Sequence, residues 1–197
     1  MAKFPRRWAT VGVAAFVSTA GIGVALTGGP ASATDVVAEA TLYNAAGKEI
    51  GEVTFKGEGK FATEVEIEID APANTPNLGK YHGIHIHTTG VCTAPATGPA
   101  FLSAGGHWNP AGASIHHGDH AGDLPSVLLT KDGMAYAEFE TDRFDVSELF
   151  DTDGSAVILH VGADNFANIP LDPYGGPNAA TRLTGDAGGR YACGVIE

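Results

Sequence analysis

Apolar and polar residues alternate along most of the chain. In FATEVEIEID, residues 61–70, Phe61, Thr63, Val65, Ile67 and Ile69 fall on one side, and Ala62, Glu64, Glu66, Glu68 and Asp70 on the other. Successive side chains of an extended backbone leave opposite faces, so this period of two predicts a strand with one buried and one wet face. Comparable runs lie near 36–44, 49–56, 80–87, 125–131, 134–140, 155–161 and 190–196. Glycine-bearing turns at Glu58-Gly59 and Asp132-Gly133 connect neighbours as hairpins. Eight short strands with little helical period predict an all-β, eight-stranded antiparallel barrel or sandwich. DVSELF (145–150) carries the one local helix signal, a single turn behind a capping aspartate. Two connections, 88–124 and 162–189, are far longer than hairpins need, and loops of that length in a compact domain are usually functional or disordered. No internal repeat and no second domain is visible.

Composition changes the picture first at the amino terminus. Lys3, Arg6 and Arg7 precede an apolar run, and Ala31-Ser32-Ala33 follows it with small residues suited to cleavage. Residues 1–33 therefore read as an export signal, and residues 34–197 as the mature domain. Glycines and hydroxyls make the run a poor bilayer span, so the mature chain is expected outside the cytoplasm without a membrane anchor. The Arg6-Arg7 pair is compatible with a twin-arginine route. Losing three basic and no acidic residues takes the formal charge from −12 to −15. That charge argues against nucleic acid and anionic membranes as partners. The two cysteines, Cys92 and Cys193, most simply form one disulfide in an exported chain. Closing a loop of about 100 residues contributes on the order of 4–5 kcal/mol in the chain-entropy account.

The eight histidines are confined to residues 82–160, three of them in HGIHIH (82–87). His85 and His87 share a strand face, with Cα atoms roughly 6–7 Å apart, so both rings can reach one metal. We read them as following the inward rhythm of the strand. His82 has the opposite parity, that of Ile84 and Ile86, and is expected to make structural hydrogen bonds. His160 ends the run SAVILH and His107 sits in AGGHWNP; four imidazoles suit copper. HHGDHAGD (116–123) adds His116 or His117, His120 and Asp123, which with a histidine of the first group make a nitrogen/oxygen set for zinc.

GIHIH, AGGHWNP, HAGDLPS, SAVILHVGADN and TGDAGGRYACGVI together resemble the signature segments of the copper/zinc superoxide dismutase family, in order, over residues 35–197. The resemblance implies an immunoglobulin-like Greek-key fold with two functional loops, and dismutation of superoxide to oxygen and hydrogen peroxide. It implies copper on His85, His87, His107 and His160, with His107 bridging to zinc and also acting in proton delivery. Zinc would be completed by His117 (or His116), His120 and Asp123. Asp164 corresponds to the aspartate that orients ligands of both metals, and Arg190 to the anion-binding arginine beside copper. Cys92 and Cys193 correspond to the family disulfide. The chain departs from the pattern in its short gap before His120, in Asp186 where asparagine is usual, and in a second loop without the lysine-and-glutamate pattern of animal relatives.

Superoxide is an anion, so the acidic surface raises a steering problem. Arg182 and Arg190, together with the metals, are expected to focus a local positive field. Two other readings use the same residues: an exported copper store or chaperone without turnover, and a zinc hydrolase, which needs an open metal position. Storage gives no reason for Arg190, and the zinc set looks closed. A homodimer is compatible with the sequence, which names no interface.

Overall fold

The computed structural model describes residues 37–57, 62–112 and 116–197. The leader 1–33, Phe61 and the Glu58-Gly59 turn lie outside the described residues. Among the described residues, nine strands account for most of the regular structure: β1 Val37–Asn44, β2 Glu49–Gly57, β3 Thr63–Asp70, β4 Tyr81–His82, β5 Ile84–His87, β6 Val127–Leu128, β7 Met134–Thr141, β8 Ala156–His160 and β9 Arg190–Val195. Seven form one antiparallel sheet in the order β5-β8-β9-β1-β2-β3-β7, and β4 pairs with β6.

The run 80–87 was expected as one strand and is two, because the chain changes partners at Gly83. β4 pairs with β6, whereas β5 pairs with β8. At the switch, Gly83 N donates to Gly162 O, and Gly83 O accepts from His160 N. A tight turn at Thr130–Gly133 joins β6 to β7, the far edge of the large sheet. The β4–β6 ribbon thereby links the two edges, and the sheet curls into a half-barrel. The expected 145–150 turn is a 3-10 turn, Val146–Leu149, in which Glu148 Oε2 accepts from Asp145 N at 2.8 Å. The second long loop adds one unforeseen helical turn, α1 Thr181–Thr184.

Thr63, Val65, Ile67 and Ile69 of β3 are buried, as their alternation predicts. They join Val53, Phe55, Leu42, Ile84 and Ile86 in the barrel interior. A second apolar cluster lies on the other face of β8–β9, where Ala156, Ile158 and Cys193 are covered by Phe101 and Ala104 of the first long loop. The Cys92–Cys193 disulfide, with Cα atoms 5.6 Å apart, pins that loop to β9.

Both faces of β5 and β8 are consequently buried, which corrects the inward reading of His85 and His87. Their register partners are Ile158 and Ala156, residues of the outer cluster, while Ile84 and Ile86 pair with Leu159 and Val157 of the interior. The two histidines therefore point outward, under the loops. Alternation separates the two faces of a strand but carries no sign for which face is the core when both are covered.

Candidate metal centre

The first long loop is laid along the free edge of β5 as if it were another strand. Trp108 N donates to Ile86 O, Ile86 N to Gly122 O and Thr88 N to Gly106 O. These bonds set His107 opposite His87 and Asp123 opposite His85. A bulge at Leu159/His160 brings His160 to the rim of β8, across from Arg190. Five of the expected ligands, His85, His87, His107, His160 and Asp123, thus reach one place through backbone pairing.

Two groups of donor atoms result, each with all atoms within 4.8 Å of one another: His85, His87, His107 and His160, and His85, His107, His117 and Asp123. His85 and His107 belong to both. His120, expected in the second set, stands at its margin, with Nδ1 3.0 Å from Asp123 Oδ2. His116 and His117 separate cleanly. His117 is buried, whereas His116 is exposed and accepts from Arg182 Nη1 at 3.4 Å.

Hydrogen bonding fixes which ring nitrogen carries the proton. A carbonyl or carboxylate only accepts, so the nitrogen facing it must donate, and the other keeps its lone pair. His87 Nδ1 donates to Gly105 O and His160 Nδ1 to Gly188 O, both at 3.0 Å. His85 Nε2 donates to Asp164 Oδ2 at 2.6 Å. The remaining atoms, His85 Nδ1, His87 Nε2 and His160 Nε2, are buried without a hydrogen-bond partner. Buried lone pairs left without partners are costly, and three converging ones fit a bound metal ion.

Electrostatics agree. Burial pushes the His87 imidazole well below its ordinary range, helped by His107. Burial likewise lowers His107 to about 4 and His160 to about 3. These rings are neutral at physiological pH, as metal ligands must be. His117 behaves differently: burial alone would lower it, but Asp123 and Asp164 outweigh that and raise it to about 9. Its Nδ1 lies 3.2 Å from Asp123 Oδ1, so the proton that the carboxylates favour there is the one a bound cation would displace. Asp123 itself is held far below the usual carboxylate range: burial would raise it, and contacts with His107 and His117 prevail.

Asp164 spans the two groups, accepting from His85 Nε2 at 2.6 Å and from His117 Nε2 at 2.7 Å. Arg190 donates from Nη1 to Phe101 O and from Nη2 to Gly105 O. Gly105 O also receives His87 Nδ1–H, so one carbonyl ties the guanidinium to a copper-candidate histidine. His82 points into the interior at zero exposure, its Nδ1 donating to His160 O at 2.7 Å.

Several participants carried no sequence signal. Gly105 and Gly188 act through carbonyls, and Phe166 stacks its ring on His117 with centroids 6.1 Å apart. Gly185, at φ 57°, passes so close to Asp164 and His117 that a Cβ would enter their contact. Arg143 grips the backbone of residues 118–123.

Known proteins resemble this chain in sequence and in fold. The family model described as copper/zinc superoxide dismutase matches residues 49–196. A superoxide dismutase [Cu-Zn] of Mycolicibacterium paratuberculosis is 39% identical over 163 residues, which cover 76% of this chain and 69% of that one. Its counterpart from Escherichia coli is 34% identical, covering 88% and 94%. Among solved structures, the Cu/Zn superoxide dismutase of Brucella abortus superposes with a TM-score of 0.61 at 26% identity, over 82% of this chain and all of that one. A SOD-like protein of Bacillus subtilis gives 0.59 at 27% identity, over 80% and 96%.

Proposed function

Because this chain belongs to the copper/zinc superoxide dismutase family, we propose that His85, His87, His107 and His160 hold copper, and that His107, His117, His120 and Asp123 hold zinc. The activity is dismutation of superoxide, with copper and zinc as cofactors. When bound, copper supplies the one-electron couple that oxidises one superoxide to oxygen and reduces a second to hydrogen peroxide.

The protein's own residues do the remaining work. His85 is oriented through Nε2 by Asp164, which leaves Nδ1 for copper. His107 turns Nδ1 toward Asp123 and keeps Nε2 for the copper side, where it can carry a proton to the product. Arg190, held by two carbonyls, directs its charge at the incoming anion. Arg182 adds charge near His116. The observation that most supports the assignment is the set of buried imidazole nitrogens whose ring partners are already committed as donors. A copper store or chaperone leaves Arg190 unexplained, and the curated relatives are dismutases. Residues 1–33 are read as an export signal cleaved near Ala33, supported by their composition and by a disulfide that requires an oxidising compartment.

The test is direct superoxide decay with copper- and zinc-loaded protein at several ionic strengths. Superoxide dismutase is a standing example of an enzyme near the diffusional ceiling, about 10⁸–10⁹ M⁻¹s⁻¹. A rate in that range, falling as salt rises, is expected if positive charge around Arg190 steers the anion. Metal-loaded protein that clears superoxide no faster than buffer would refute the assignment.

A further inference from the structure

Residues 117–123 form a small closed loop around the Asp123 carboxylate. On its inner side, Gly118 N and His120 N donate to Asp123 Oδ2 at 2.7 and 3.1 Å. On its outer side, one guanidinium gathers three carbonyls. Arg143 Nη1 donates to His120 O at 3.0 Å and Asp123 O at 3.3 Å, and Nη2 to Gly118 O at 2.9 Å. Both residues whose amides grip the carboxylate are among the three whose carbonyls Arg143 collects.

The arginine is well anchored. It follows β7, and its own N–H donates to Thr141 Oγ1 at 3.3 Å. The next residue, Phe144, is buried in the barrel interior, edge-on to Trp108 and Phe55 at 5.7 and 6.3 Å between ring centroids. Beside the backbone pairing of Gly122 and Asp123 with β5, this side chain ties the loop to the end of β7.

Resting on the zinc assignment above, we infer that Arg143 is a positioning residue that holds His117, His120 and Asp123 in ligand geometry before the metal arrives. A rigid planar fork reaches the three carbonyls from two separated nitrogens, whereas a lysine ammonium presents its three donors from one point on a flexible stem. The benefit is conformational: an ion that binds a loop formed only part of the time loses affinity in proportion to that fraction. The guanidinium charge acts in the opposite direction, repelling a dication. Arg143 is exposed, however, so solvent and salt screen that repulsion.

The two effects separate in variants of the metal-loaded protein. Arg143→Met removes fork and charge; Arg143→Lys keeps the charge and loses the fork. Zinc and copper affinities are read in parallel by chelator competition, with the visible spectrum of cobalt in the zinc position as a geometric signature. Zinc affinity should fall about 10–100-fold in Arg143→Met, the usual scale for groups that orient metal ligands, with most of the loss persisting in Arg143→Lys. Copper affinity should change less than about twofold, and the cobalt spectrum should broaden or shift. Unchanged zinc affinity in both variants overturns the inference. So does a parallel fall in copper affinity, which would mark a general stabilising role. Wild-type protein without zinc at this site would overturn the zinc assignment itself, and the inference with it.

Discussion

Gly185 offers a quantitative test of how tightly the second loop closes over the centre. It ends the α1 turn in the left-handed region at φ 57°, with its N–H on Thr181 O. A Cβ there would meet His117 Cδ2 at 2.5 Å, and Asp164 Oδ1 and His117 Nε2 closer still. Ordinary contact begins at 3.4 Å, so the carboxylate and imidazole of Gly185→Ala would each have to retreat by about an ångström. That movement breaks the Asp164–His117 hydrogen bond, and a hydrogen bond to a charged group contributes about 1.5–3 kcal/mol. The left-handed backbone adds about 1–2 kcal/mol for alanine. The total is about 2.5–5 kcal/mol, which at roughly 2–4 °C per kcal/mol lowers Tm by on the order of 5–20 °C. Gly47→Ala is the control. It shares the positive φ at 71° but has no atom within 4 Å of the added methyl, so it carries the backbone cost alone. Thermal unfolding of both loaded variants, with metal content measured after gel filtration, decides the matter. Gly185→Ala should melt well below Gly47→Ala and lose zinc first. Equal melting temperatures with full zinc retention would refute the packing argument.

Two further outcomes follow from the parity of HGIHIH and from the outer face of the sheet. His85→Ala should abolish activity together with copper binding, whereas His82→Ala should keep copper and lower stability, since His82 bonds only backbone carbonyls. Metal analysis showing equal copper loss in both would contradict the division. On the sheet face, Glu52 lies opposite Glu68 and near Glu39 and Glu49. Its pKa is raised, first by partial burial and then by these neighbours. A carboxyl whose folded pKa is raised destabilises the native state once ionised, and that penalty vanishes as pH falls below its unfolded value. Glu52→Gln should therefore raise Tm at pH 7 and leave it unchanged near pH 3; a gain of the same size at both would rule out the electrostatic cause.

Much of the molecule was legible in the chain because its signals are local. The period of two in β3 marks its buried and wet faces, and the 145–150 turn carries its own capping residues. The opposite parities of His82 and His85 separate a carbonyl-bonded ring from one with an unclaimed nitrogen. Other features depend on what lies across space. Gly83 splits the expected 80–87 strand because two different partners, β6 and β8, compete for its two halves.

The sequence by itself determined most of the strands, their alternation, the confinement of histidines to 82–160 and the motif order that marks the family. Each of these is a property of neighbouring residues or of residue type. Only the tertiary structure decided that His85 and His87 face outward, because the loop that buries their face arrives from residues 88–124. It also separated His117, beneath Gly185 and against Asp164, from His116, which turns out to Arg182. Adjacent residues of one type share nearly all their sequence context, and only the surfaces brought against them distinguish the two. The same holds for Arg143 and Gly105, whose roles pass through backbone carbonyls. Every residue carries a carbonyl, so a role of that kind leaves no mark in the sequence until the chain has folded.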